Sequence, residues 1–250
     1  MLSGQKFYST GALFAHWVAV KALNDEGRQV MAFVRRGTPG LRIVDDWSGF
    51  GQRTTASGTV LLDRVQVDAE LVIDNWRQNE VPNIQGAASQ LIQAAIDAGI
   101  AEAAVADAIA FVREKSRPWI DAKVERASDD LYVIADIGRL QLELHAAQAL
   151  LSKAARTLDE VNAAPVDAAS AARASIAVAE AKVLTTEIAL QASEKLFELA
   201  GSRATLAEFN LDRHWRNARV HTLHDPVRWK YHAVGAYHLN GTLPARHSWI

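Results

Sequence analysis

The stretch Leu211-Asp212-Arg213-His214-Trp215-Arg216-Asn217-Ala218-Arg219-Val220-His221-Thr222-Leu223-His224-Asp225-Pro226 concentrates groups able to move a proton. Imidazole titrates near neutrality, so each histidine is a natural acid, base or hydrogen-bond donor. His221 and His224, three residues apart, could share one helical face, and with His214 and Asp225 they would offer a metal donor set. Asp225 also reads as a helix N-cap, with Pro226 as the first helical residue. A carboxylate spent on capping has a lowered pKa and makes a poor base. Cations gather in two other places. Phe111-Val112-Arg113-Glu114-Lys115-Ser116-Arg117-Pro118 holds three, and Glu198-Leu199-Ala200-Gly201-Ser202-Arg203-Ala204-Thr205 holds Arg203 beside a glycine and a hydroxyl. The forked guanidinium suits phosphate. The same groups also suit a helix C-terminus, where cations complement the dipole and glycine ends the helix.

The elements that must position these groups fall into two grammars. Residues 1–78 are short β-branched and aromatic runs separated by glycine turns, which predicts a partial antiparallel β domain. His16–Val20, Gln29–Val34 and Thr59–Val67 are its expected strands. Residues 79–250 predict an α-helical bundle domain. Apolar positions at helical spacing give helices over about 83–115, 127–162, 167–199, 206–218 and 225–239. Ser128 and Asp167 are the expected caps of the second and third. Long helices with short connections pack as an antiparallel bundle. The fold class is therefore α+β, mostly α.

Composition narrows the function classes. Net charge is −2 over 250 residues, which gives no basic footprint for nucleic acid. No cysteine is present, so disulfides and thiolate metal sites are excluded. The apolar stretch Gln90–Val112 is interrupted by Asp97, Glu102 and Asp107, which reads as a packed helix and not a membrane span. With no apolar leader at the start, a cytoplasmic protein is expected.

A short β region followed by long helices resembles the last two domains of the acyl-CoA dehydrogenase superfamily. Gly4-Gln5-Lys6-Phe7-Tyr8-Ser9-Thr10-Gly11-Ala12 is similar to the segment of that family's β domain that lies against the flavin ring. Gly51-Gln52-Arg53-Thr54-Thr55-Ala56-Ser57-Gly58 resembles a turn before its last β strands. Dehydrogenases carry R-D-A-R-x-x-x-I-Y-E-G near the end, and in several the glutamate is the base. Here Arg216-Asn217-Ala218-Arg219 fits the first half, while His224-Asp225-Pro226 replaces Y-E-G. This variant resembles the FMN-dependent monooxygenase branch that acts in sulfur acquisition.

The resemblance implies a two-component monooxygenase of organosulfur compounds, supplied with reduced FMN by a separate flavin reductase and assembled as a homotetramer. It implies His224 and Ser9 as catalytic residues at the flavin edge. Thr10, Arg117, Gly201, Ser202 and Arg203 are implied as cofactor-binding residues, and no metal is expected. It also implies that the family's N-terminal domain and half its β domain precede the position of Met1, so that the chain alone is not expected to be active. Two alternatives stay open: an FAD-dependent acyl-CoA dehydrogenase with Asp225 as base, and a non-catalytic helical oligomerisation module.

Overall fold

The computed structural model describes residues 1–250, the side chain of Asn79 excepted. It divides into two compact units, Met1–Val81 and Pro82–Ile250.

The first unit contains two three-stranded antiparallel sheets. One has the order β1 (Leu2–Lys6), β5 (Thr59–Val65), β4 (Leu41–Val44). The other has the order β2 (Trp17–Leu23), β3 (Gln29–Arg35), β6 (Val72–Ile73). Alternation in β2 and β3 turns Val18, Val20, Val30, Ala32 and Val34 inward. Val18, Val20 and Val34 meet Val60, Leu62 and Val65 of the other sheet in one apolar cluster. The three expected strands are present. Strand β4 went unread because it is only four residues long, and β6 because it is only two. Gly40 just before β4 has a backbone reason: its φ is +87°, and a Cβ there would lie 2.2 Å from the Asp63 carbonyl oxygen. Only glycine lets these two chain segments approach so closely.

The second unit is built on α1 (Gln85–Glu114), α2 (Leu131–Asn162) and α3 (Ala168–Ala200). Ala87 packs with Ala174 and Val178, and Ser116 donates to the Ala200 carbonyl, so α1 and α3 run in the same direction. Helix α2 runs against both, bringing Gln148 to Glu102 and Leu158 back toward Ala87. Ala94, Ala98, Ala101, Ala104 and Ala108 recur every three or four residues of α1 and are buried. Their small side chains let the α3 axis come close, so buried polar groups on these helices meet directly.

Asp167 caps α3 as expected, with Ser170 completing a capping box. The cap of α2 is Asp130, which accepts from the Tyr132 amide at 2.8 Å, and not Ser128, which lies inside a preceding 3-10 turn. The fourth expected helix is also corrected. A 3-10 turn at Ala207–Phe209 ends on Asn210, whose φ is +48°. Helix α4 (Asp212–His221) starts only after it. Helix α5 spans Arg228–Asn240. Among the described residues no helix is long and apolar enough to cross a membrane.

Candidate active site

Helices α1 and α4 are joined by two Asp–His pairs. Deep in the bundle, Asp97 Oδ1 lies 2.6 Å from His221 Nδ1. Toward the other end of α4, Asp107 Oδ2 lies 2.8 Å from His214 Nε2 and also accepts from Arg213. A carboxylate only accepts, so each bond fixes a tautomer: Nδ1–H in His221 and Nε2–H in His214.

Asp97 is fully buried, and α3 supplies the rest of its partners. Its Oδ2 accepts from Lys182 Nζ at 2.8 Å and from Thr186 Oγ1 at 2.9 Å. Burial alone would raise the Asp97 carboxyl. The hydrogen bond from His221 and the Lys182 ammonium outweigh it and hold the group below the usual carboxylate range. Asp107 follows the same balance: its partial burial is outweighed by the His214 and Arg213 bonds, and it too sits low. Burial lowers His214 despite the opposing Asp107.

The chain turns directly after α4, and His224 sits in that turn, exposed. Its Nδ1 lies 3.0 Å from the His221 carbonyl oxygen, which also accepts the His224 amide at 3.2 Å. A carbonyl cannot donate, so Nδ1 carries the hydrogen and Nε2 is left as the lone-pair nitrogen. The two imidazole centroids are 5.1 Å apart.

Asp225 does not cap α5. The N-cap position belongs to Val227, and no side chain caps it. The Asp225 carboxylate is buried, 3.2 Å from the Lys230 ammonium, in a contact that is ionic without the direction of a hydrogen bond. Lys230 also donates to the Trp249 carbonyl. Burial lowers Lys230, and the Asp225 charge opposes that shift. The helix starts three residues later than expected because this pairing draws the carboxylate into the bundle, away from the backbone amides it was expected to meet.

The two cationic segments come together at one end of the bundle. Ser116 Oγ donates to the Ala200 carbonyl at 3.0 Å, tying the turn after α1 to the end of α3. Phe209 stacks edge-on against Phe111 at 5.0 Å, and Lys115 and Arg203 both lie over its ring, at 5.5 and 5.7 Å. Gly201, with φ +79°, turns the chain so that Ser202 and Arg203 are exposed beside it. Arg117 is exposed at the same end. Among the described residues neither Arg117 nor Arg203 forms an ion pair, so both cations are available to an anion. This donor set suits a phosphate.

Ser9 and Thr10 belong to the first unit, in the loop after β1. The Ser9 amide donates to the Gly58 carbonyl at 3.0 Å, and Thr10 Oγ1 meets Ser57 Oγ at 2.8 Å. The two glycine-containing segments singled out in that unit are thus bonded to each other.

Asp97, Asp107, Lys182, Thr186 and Lys230 were not read from sequence as site residues. The acids were visible as interruptions of an apolar helix, but nothing in the sequence paired them with α3 and α4. The possible metal set is dispersed: His214 goes to Asp107, His221 to Asp97, and Asp225 to Lys230. Among the described residues no three histidine, cysteine or acidic side chains converge as a metal site.

Residues 91–229 match the family model described as acyl-CoA dehydrogenase, C-terminal domain, and the chain belongs to that family. Within it, the chain is 33% identical over 249 residues to a probable FMNH2-dependent monooxygenase, SfnC, of Pseudomonas putida, covering 97% of this chain and 63% of that protein. It is 31% identical over 258 residues to the dibenzothiophene monooxygenase of Rhodococcus erythropolis, covering 98% and 62%. The FMN-bound structure of TdsC from Paenibacillus sp. A11-2 superposes with a TM-score of 0.93 at 30% identity, covering 99% of this chain and 66% of TdsC. The chain thus spans about two thirds of the length of these relatives.

Proposed function

We propose that this chain is the flavin-edge and phosphate-binding part of an FMNH2-dependent monooxygenase of organosulfur compounds, served by a separate flavin reductase in the cytoplasm. The observation that carries the reading is the replacement of Y-E-G by His224-Asp225-Pro226, which puts His224 at the tyrosine position and Asp225 at that of the glutamate base. In this chain Asp225 is buried against Lys230, whereas the His224 imidazole is exposed with Nε2 unbonded. A carboxylate buried against an ammonium is not free to reach a substrate's α-proton, which argues against the acyl-CoA dehydrogenase alternative. An outward imidazole nitrogen can accept, donate or relay a proton at a flavin edge.

Reduced FMN, when bound, supplies the electrons that activate dioxygen. Arg203, Ser202 and Arg117 are the residues proposed to hold its phosphate, with Gly201 shaping the turn. Ser9 and Thr10 are proposed to address the ring, and His224 to hold or move the proton. The similarity to SfnC and to FMN-bound TdsC supports FMN over FAD. A homotetramer is part of the proposal. Leu131, Tyr132, Ile134 and Leu142 leave an apolar face of α2 exposed, which a neighbouring copy would cover.

The test is oxygenation of an organic sulfide or sulfone by the complete protein with reduced FMN. Full activity in His224→Ala would overturn the role of His224. Purified chain with stable oligomers and no flavin affinity would favour the non-catalytic module instead.

A further inference from the structure

We infer that Asp97 is a positioning residue for His224, acting through His221. The inference rests on the reading of His224 as the flavin-edge group. His224 is oriented by one atom, the His221 carbonyl oxygen, which receives both its amide and its Nδ1–H. The place of that carbonyl depends on where His221 is pinned, and the His221 side chain is pinned by Asp97 at 2.6 Å.

Asp97 is itself immobilised. Lys182 and Thr186 of α3 occupy its second oxygen, and no part of the carboxylate is exposed. The chain of contacts therefore runs from α3 through α1 to the last residue of α4, and then to the exposed imidazole three residues on. Each link is a directed hydrogen bond of 3.0 Å or less. A fully buried ion pair is a poor way to gain stability, because apolar residues of the same volume often do as well. What it supplies is direction: an apolar contact could fill the same space but would not set which nitrogen of His221 carries hydrogen or which way the ring faces. Released from this frame, His224 would turn about its side-chain bonds and exchange Nδ1–H for Nε2–H, the form that prevails in unconstrained imidazole side chains. Nε2 would then cease to be the lone-pair nitrogen.

The experiment is tautomer assignment by long-range proton–nitrogen correlation on the 250-residue chain labelled with nitrogen-15 histidine, without flavin. It is run at about pH 8, above the ordinary imidazole range. A His224→Gln spectrum assigns the signal. In the unaltered chain both His221 and His224 should be Nδ1–H. The paired substitution Asp97→Leu with Lys182→Met removes the pin without leaving a buried charge unmatched. It should move His224 from a majority of Nδ1–H to a minority. If that variant does not fold, Thr186→Val, which removes one Asp97 bond, should give a smaller shift in the same direction. A folded variant in which His224 keeps its tautomer overturns the inference, as does an unaltered chain in which His224 is already Nε2–H. Neither outcome bears on whether the complete protein oxygenates sulfur compounds, so the two readings fail separately.

Discussion

His221 and Asp97 meet at 2.6 Å in a part of the bundle that solvent does not reach, and two helical turns earlier His214 meets Asp107 in the same way. One pair is buried with a lysine, and the other is half-open with an arginine. That difference in environment separates what each should do when disturbed.

Removing one member of the inner cluster should be severe. Asp97→Ala strands the Lys182 ammonium without its partner, and breaking a buried ion pair costs about 3–5 kcal/mol. Replacing both residues, as in Asp97→Leu with Lys182→Met, leaves no unmatched charge and should recover part of that loss, the remainder being about 1–3 kcal/mol for each of the His221 and Thr186 donors that lose their acceptor. Urea unfolding read at constant m-value checks both.

Acid should weaken this unit in two steps. The His214 pKa is lowered on folding, so its contribution is complete above about pH 6.5, the unfolded value, and is lost as pH falls toward the folded value. The Asp97 and Asp107 pKa values are lowered too, so their contributions are complete above about pH 4 and are lost below it. Melting temperature against pH should therefore fall in both windows. His214→Gln should flatten the upper window, and Asp107→Asn should make the lower one shallower.

On the proposed reading, phosphate recognition should be separable from ring recognition. Arg203→Gln should weaken FMN binding by about tenfold to a hundredfold, the range expected for a lost charge-assisted hydrogen bond. Riboflavin, which lacks the phosphate, should bind both forms equally. Arg117→Gln should act in the same direction. Fluorescence titration with the two flavins reads the difference, and equal weakening of both would remove these arginines from the phosphate site.

Two glycines with positive φ should respond differently to alanine. At Gly201 a methyl group meets nothing within 4 Å, so Gly201→Ala should cost only backbone strain, about 1–3 kcal/mol. At Gly40 the same strain is joined by a collision with the Asp63 carbonyl, so Gly40→Ala should be the more damaging. Thermal unfolding of the two variants ranks them.

The long helices were legible because three features agreed: alanine-rich apolar spacing, the Asp167 cap and Gly201 at the end of α3. The turn that carries His224 was legible in content but not in geometry. Asp225-Pro226 has the local grammar of a helix start, yet a lysine five residues on captures the carboxylate, and tertiary pairing overrode the local preference. Asp97 was visible only as a flaw in an apolar stretch. Its partners lie 85, 89 and 124 residues away, a distance at which spacing in one sequence carries no signal.

The spacing of His214 and His221 gives α4 two attachment points on α1, so a slip of the helix by one residue would break both at once. The axial stop of α4 is therefore set from within the bundle, and the irregular segment 201–211 that leads into it is relieved of that duty. Insertions or deletions in that lead-in should leave the height of the His224 turn along α1 unchanged. Length variation there would reshape the surroundings of Arg203 while the His224 end of α4 keeps its place.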